Sequence, residues 1–234
     1  MRLEKLDILR GIAITLMVVF HLNYSLFNIF NINVLNFSND FWFLVGRISV
    51  SLFIFVAGMS FLLAEQKYKN KIVKKYLKTS LVLGLIAGLI SLFTFLFFIE
   101  QYIRFGIIHF FATSFLFMLL FRKLKYYNIL LGLVIVVYGF YFIPVIQSEY
   151  FYFLGFTYSG FKSADFYPIL PYFGIMLLGY SFALFLSNKD KLGILKLKSK
   201  KNIIYYILEY IGKRSLIIYL IHQPIIILII YLVK

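Results

Sequence analysis

The chain has 234 residues, of which 62% are hydrophobic and only 14% charged, whereas a soluble domain carries about 25% charged residues. That apolar excess excludes an ordinary soluble domain, and the absence of Cys excludes disulfides, thiolate metal sites and a cysteine nucleophile. The net charge of +15 comes from Lys and Arg lying between apolar runs, which marks membrane topology and lipid contact rather than nucleic-acid binding.

Runs of about 20 apolar residues can cross a bilayer as helices. They occur at residues 8–30, 41–64, 79–99, 104–121, 128–146, 166–186 and 214–233. The first follows basic Arg2 and Lys5 but has no small-residue cleavage site after it, so it reads as a retained helix. Gly84 and Gly88 form a GxxxG in the third run, a signal for close helix packing. A shorter amphipathic stretch, 202–211, is expected to lie at the membrane interface before the last run.

With seven alternating crossings, twenty of the 24 Lys and Arg residues fall on one side. Only Arg47, Arg104, Lys162 and Lys234 fall elsewhere. The positive-inside bias then predicts an all-α, multi-pass integral protein of the cell membrane, with about seven transmembrane helices, a cytoplasmic N-terminus and an external C-terminus. The short connections favour a single domain over 1–234. Two outer connections differ in character: 31–40 is rich in Asn, whereas 147–165 carries Glu149, Tyr150, Tyr152 and Tyr158. Such aromatics suit either an interface belt or stacking against sugar rings.

All three histidines, His21, His109 and His222, fall inside predicted spans. From the nearest basic span-edge residue (Arg10, Arg104 and Arg214) they lie about 16, 8 and 12 Å deep at 1.5 Å per residue, in the middle of a hydrocarbon slab about 30 Å thick. Polar groups there are costly and face partners or a wet cavity. One shared cavity is the economical reading; separate interhelical hydrogen bonds are the other.

Arg10 and His21 are eleven residues apart, which places them within about 20° on one helical face together with Asp7, Ile14 and Met17. Asp7 and Arg10, three apart, can pair. A guanidinium at the membrane mouth can hold phosphate, and a neutral imidazole within can act as a general base. The separation suits a long donor such as acyl-coenzyme A. Pro224 leaves the Leu220 carbonyl without its helical donor, next to His222 and Gln223. Arg47 and Arg104 occur with Asp40, Glu100 and Asp165, and are expected to form ion pairs or to orient an external acceptor.

The opening Leu6-Asp-Ile-Leu-Arg-Gly-Ile-Ala13, with Met17 and Phe20-His21, resembles the type 3 membrane acyltransferases. Arg104-Phe-Gly-Ile-Ile-His109, the segment from Pro171 to Gly179 and the segment from Gly212 to Pro224 are similar to the prokaryotic branch of the heparan-alpha-glucosaminide N-acetyltransferase catalytic-domain family. Lysosomal members differ in having Asn at the position of His21 and a His in their first lumenal loop, where 31–40 has none. The resemblance implies a multi-helix enzyme taking acetyl from cytoplasmic acetyl-CoA, or another acyl-CoA, and delivering it to a sugar or other cell-envelope acceptor. By this resemblance Arg10 and Arg2 would contact the donor and His21 would be catalytic. His109 and His222 are candidates to stabilise developing charge, with Asp7, Arg47, Arg104 and Gln223 structural or on the acceptor side. No metal is called for, and an acyl-histidine intermediate remains open. The implied partners are membrane lipid, acyl-CoA, a glycan or envelope acceptor and, as an option, a second copy of the chain. A transporter of small solutes or lipid-linked substrates, using the same buried His and Arg groups, is the rival reading.

Overall fold

The computed structural model describes residues 3–30, 32, 39–189, 191–196 and 202–233. Among the described residues the fold is all-helical: α1 (Glu4–Tyr24), α2 (Asn39–Tyr68), α3 (Ile72–Phe97), α4 (Ile107–Phe121), α5 (Tyr127–Tyr141), α6 (Ile169–Asn188), α7 (Ile203–Lys213) and α8 (Ser215–Val233). The seven apolar runs correspond to α1–α6 and α8, and the amphipathic stretch to α7.

Five stretches are long and apolar enough to cross a membrane. One of them, Asp40–Phe97, has 58 residues. A straight helix of that size would run about 87 Å, nearly three times the hydrocarbon thickness of about 30 Å. It is interrupted at Lys69–Lys71, a 3-10 turn in which Lys69 takes φ +43° and three successive polar residues end the apolar run. The shorter apolar helix α5 gives way to a second 3-10 turn, Ile143–Val145, which contains Pro144.

The outer face of α3 bears Leu81, Leu85, Leu89, Leu92 and Leu96, each more than half exposed. In water that stripe would be a liability; in hydrocarbon it is the ordinary state of a helix. Gly84 and Gly88 are exposed as well, and a Cβ at either would meet open space. Their GxxxG spacing therefore mediates no close packing among the described residues. The expectation fails because spacing says that a face is smooth, not that a neighbour covers it.

By their internal contacts the residues form two compact units, Met1–Val56 with Ser187–Lys234, and Ala57–Leu186, the division falling within α2. In the first unit α7 and α8 pack on α1. The α1–α7 contact is made by backbone: a Cβ at Gly11 would overlap the Leu208 carbonyl, and one at Gly212 would overlap the Asp7 carbonyl. Amphipathic α7 thus lies directly on α1, with Glu209 and Gly212 buried and Ile203, Ile204, Tyr206 and Ile207 outward. The Ser49 hydroxyl of α2 donates to the Ala13 carbonyl at 2.7 Å.

In the second unit, Gly58 lets α2 approach the Met176 carbonyl of α6, and Gly132 and Gly174 bring α5 and α6 together. Phe61 and Tyr76 stack with ring centres 4.4 Å apart. A polar tie closes one end of this core. Arg122 pairs with Glu65 at 2.9 Å, and the Tyr180 hydroxyl donates to the other Glu65 oxygen, also at 2.9 Å. Buried Asn128 donates to the Phe121 carbonyl at 2.9 Å.

Gly11→Ala and Gly212→Ala should each lower stability by about 1–3 kcal/mol, because the colliding atoms are backbone and cannot turn aside. Gly84→Ala should be neutral or stabilising by up to about 1 kcal/mol, since it adds helix propensity at an open position. Melting of the detergent-solubilised protein separates the two classes, and equal losses at Gly11 and Gly84 would contradict the packing. Glu65→Ala leaves Arg122 and Tyr180 without their shared acceptor, at a cost of about 1–2 kcal/mol for this partly exposed pair.

Candidate active site

The first unit gathers most of the chemistry that the sequence singles out. Asp7 lies in the first turn of α1, where a carboxylate complements the helix dipole. One turn on, Arg10 gives Nη1 to the Asp7 carboxylate at 2.7 Å, and the Asp7 side chain is only 4% exposed. Gly212 presses on the main-chain carbonyl of the same Asp7. Backbone and side chain of Asp7 are therefore both fixed, and the Arg10 head is held by a group that cannot drift. Ile14 and Met17 are buried further along α1.

His21 occupies the last turn of α1. Its ring meets that of His222 edge-on, with centres 5.0 Å apart, and packs against Phe20 at 5.2 Å. Immediately beyond, Ser25–Ile29 forms a π-helical turn. Such wide turns are rare and recur at functional sites. Ser25, fully buried, accepts a hydrogen bond from Gln223 Nε2 at 3.0 Å, which ties the π turn to α8.

The tautomer of His222 follows from its neighbour. His222 Nδ1 lies 2.6 Å from the Tyr219 carbonyl, and a carbonyl can only accept, so Nδ1 carries the hydrogen and Nε2 bears a lone pair in the neutral ring. His222 Nε2, His21 Nδ1 and Gln223 Oε1 are buried and have no hydrogen-bond partner among the described residues. Uncompensated polar atoms cost about 1–3 kcal/mol each. Three of them sit on residues tied together by the His21–His222 ring contact and by the adjacent Gln223. Pro224 adds a backbone carbonyl, that of Leu220, which its missing N–H cannot reach.

His109 belongs to the second unit, and both of its ring nitrogens are occupied. Nδ1 accepts from the Gly106 N–H at 3.2 Å, which satisfies the N-cap amide at the start of α4. Nε2 lies 3.1 Å from Ser91 Oγ, whose own hydrogen goes to the Ile103 carbonyl at 2.5 Å. The chain of donors is self-consistent: Gly106 N–H to Nδ1, Nε2–H to Ser91, Ser91 O–H to Ile103. It leaves neither ring nitrogen open.

Arg47 lies on α2 in the first unit, its guanidinium 4.1 Å above the Phe43 ring centre. Arg104 lies in the second unit, at 4.6 Å from the Tyr102 ring centre, 5.1 Å from that of Phe161 and 6.0 Å from that of Tyr158. Asp165 accepts the Ile107 N–H at 2.9 Å and caps α4, and the Arg104 guanidinium has no carboxylate partner among the described residues. Arg2 and most of 31–40 lie outside the described residues.

Ser25, Tyr219 and Ser91 complete these arrangements and were not singled out by the sequence. Ser25 stands four residues after His21 and Tyr219 three before His222, both one turn away on the same face. That spacing is the signal that points to them.

No curated protein and no solved structure matches the chain. The profile described as heparan-alpha-glucosaminide N-acetyltransferase, catalytic, matches residues 2–224. That span holds Asp7, Arg10, His21, His109, His222 and the tie from Gln223 to Ser25. With nearly its whole length matched, the chain belongs to the family of heparan-alpha-glucosaminide N-acetyltransferase catalytic domains, a family of membrane acetyltransferases.

Proposed function

We propose that this protein transfers an acetyl group from cytoplasmic acetyl-CoA to a sugar or other cell-envelope acceptor on the far side of the membrane, using His21 as the general base. The observation that carries this reading is the buried His21–His222 contact with its three partnerless polar atoms, on the same helix as the fixed Asp7–Arg10 pair. The lysine and arginine distribution supports seven crossings with the N-terminus inside. Arg10 then stands at the inner end of α1 and His21 eleven residues deeper.

In this reading Arg10, oriented by Asp7, binds the phosphates of the donor through charge-assisted hydrogen bonds. The rise of about 16 Å from Arg10 to His21 is compatible with the pantetheine arm. His21 accepts the proton of the acceptor hydroxyl or amine as its oxygen or nitrogen attacks the thioester carbonyl. The new C–O or C–N bond forms, the C–S bond breaks, and the proton held by His21 passes to the departing coenzyme A thiolate.

His222, whose Nδ1–H is fixed on Tyr219, presents a basic Nε2 beside His21 and supports the imidazolium as it forms. Gln223 Oε1 and the Leu220 carbonyl are acceptors for donor groups of either substrate. His109, with both nitrogens engaged, holds the start of α4 in place.

His21→Ala should lower acetyl transfer from labelled acetyl-CoA by about 10²–10⁴-fold, the range for loss of a general base. Undiminished turnover would remove His21 from the mechanism, and solute flux in proteoliposomes lacking coenzyme A would favour the transporter. Arg10→Ala should raise KM for acetyl-CoA by about tenfold or more, as expected for a lost charged hydrogen bond, with a smaller effect on kcat. An unchanged KM would place the donor phosphates elsewhere.

A further inference from the structure

The connection between α3 and α4 is held unusually firmly for a loop. Ser91 takes up the Ile103 carbonyl through its hydroxyl, and Thr94 Oγ1 accepts the Ile103 N–H at 3.0 Å. The Arg104 N–H donates to Ser163 Oγ at 3.3 Å, and Ser163 in turn donates to the Asp165 carbonyl at 2.9 Å. The Tyr167 N–H donates to the Phe105 carbonyl at 2.9 Å. His109 receives Gly106 N–H, and Asp165 receives Ile107 N–H. The backbone from 103 to 107 is thus bonded at every residue, from α3, from α4 and from the loop before α6.

The side chain at the centre of this fixed segment makes no hydrogen bond among the described residues. Arg104 has three rings around its guanidinium. Its Nε is buried without a hydrogen-bond partner, and among the described residues no carboxylate or carbonyl accepts from its head. Aromatic rings compensate the charge of a guanidinium through its faces, but they do not satisfy the N–H groups around its edge. The rings thus leave the N–H groups of the guanidinium available to a ligand. In-plane recognition by a fork of N–H groups selects an oxyanion with two oxygens.

We infer that Arg104, framed by Tyr102, Phe161 and Tyr158 on the braced α3–α4 connection, is a binding site for an oxyanion, a phosphate or carboxylate group. Two sources carry that chemistry: the headgroup of a membrane phospholipid, or an anionic group on a soluble saccharide acceptor. The bracing gives the site its selectivity, since a preorganised cation loses little freedom on binding. The rings lower the local polarity and so strengthen the charged hydrogen bonds.

The inference stands independently of the acyl-transfer reading, because binding is measured on the full-length protein in detergent without acetyl-CoA. Native mass spectrometry and thermal shift are read with phosphatidylglycerol against diacylglycerol, and with glucose 1-phosphate and glucuronate against glucose. The anionic member of at least one pair should bind and stabilise, the neutral member should not, and Arg104→Gln should weaken the anionic ligand tenfold or more. Selectivity confined to phosphatidylglycerol identifies a lipid headgroup; selectivity for the soluble anions identifies an acceptor subsite. Arg104→Lys keeps the charge but loses the planar fork, so it should recover only part of the affinity and guards against misfolding of the Gln variant. Full affinity in Arg104→Lys, or anion binding that neither variant alters, would overturn the proposal.

Discussion

The contact between α1 and α7 is the constraint on which the proposed chemistry rests. Two glycines, Gly11 and Gly212, let the helices meet carbonyl to Cα, a closeness that no residue with a Cβ allows. In a bilayer there is little hydrophobic gain from pressing one apolar helix on another, so association depends on close van der Waals contact and on hydrogen bonds between helices. Here that contact falls on Asp7, the residue that holds Arg10. At the other end of α1 the tie is polar, from Gln223 to Ser25. One helix therefore carries a fixed cation at its start and a paired imidazole at its end, each secured by a different kind of bond.

The helices themselves were legible because bilayer thickness turns helix prediction into a measurement of apolar length. Residues 41–64 and 79–99 became the cores of α2 and α3, and the polar break between them, at Lys69–Lys71, was visible as charge. The period of α7 was legible from the alternation of its apolar and polar faces. Which faces meet was not. Gly84 and Gly88 carried the packing signature and face open space, while Gly11 and Gly212, in segments remote in sequence, make the contact. Helix pairing is a long-range property, and a smooth face is necessary but insufficient for it.

The polar residues divide in a similar way. Local relations could be read directly: Asp7 and Arg10 at three residues' spacing pair on one helix face. Arg122 was counted only as a topology signal, yet it binds Glu65 and thereby Tyr180, a triad drawn from three helices. Asp165 was counted with the arginines of its side, and its carboxylate serves the start of α4, where exposed N–H groups call for an acceptor. The three histidines, alike in the sequence, differ in hydrogen bonding: His109 has both nitrogens engaged, whereas His21 and His222 meet with one nitrogen each unpaired among the described residues.

The backbone-to-backbone character of the α1–α7 contact also bears on how such a chain can drift over generations. The seam uses main-chain carbonyls of Asp7 and Leu208, atoms that every amino acid supplies, so the outward positions Ile203, Ile204, Tyr206 and Ile207 are free to exchange among greasy and aromatic types without disturbing it. The two glycines have no such latitude. Variation along this helix should accordingly be broad on one side and nearly frozen at the seam, a pattern that side-chain packing would have spread over many more sites.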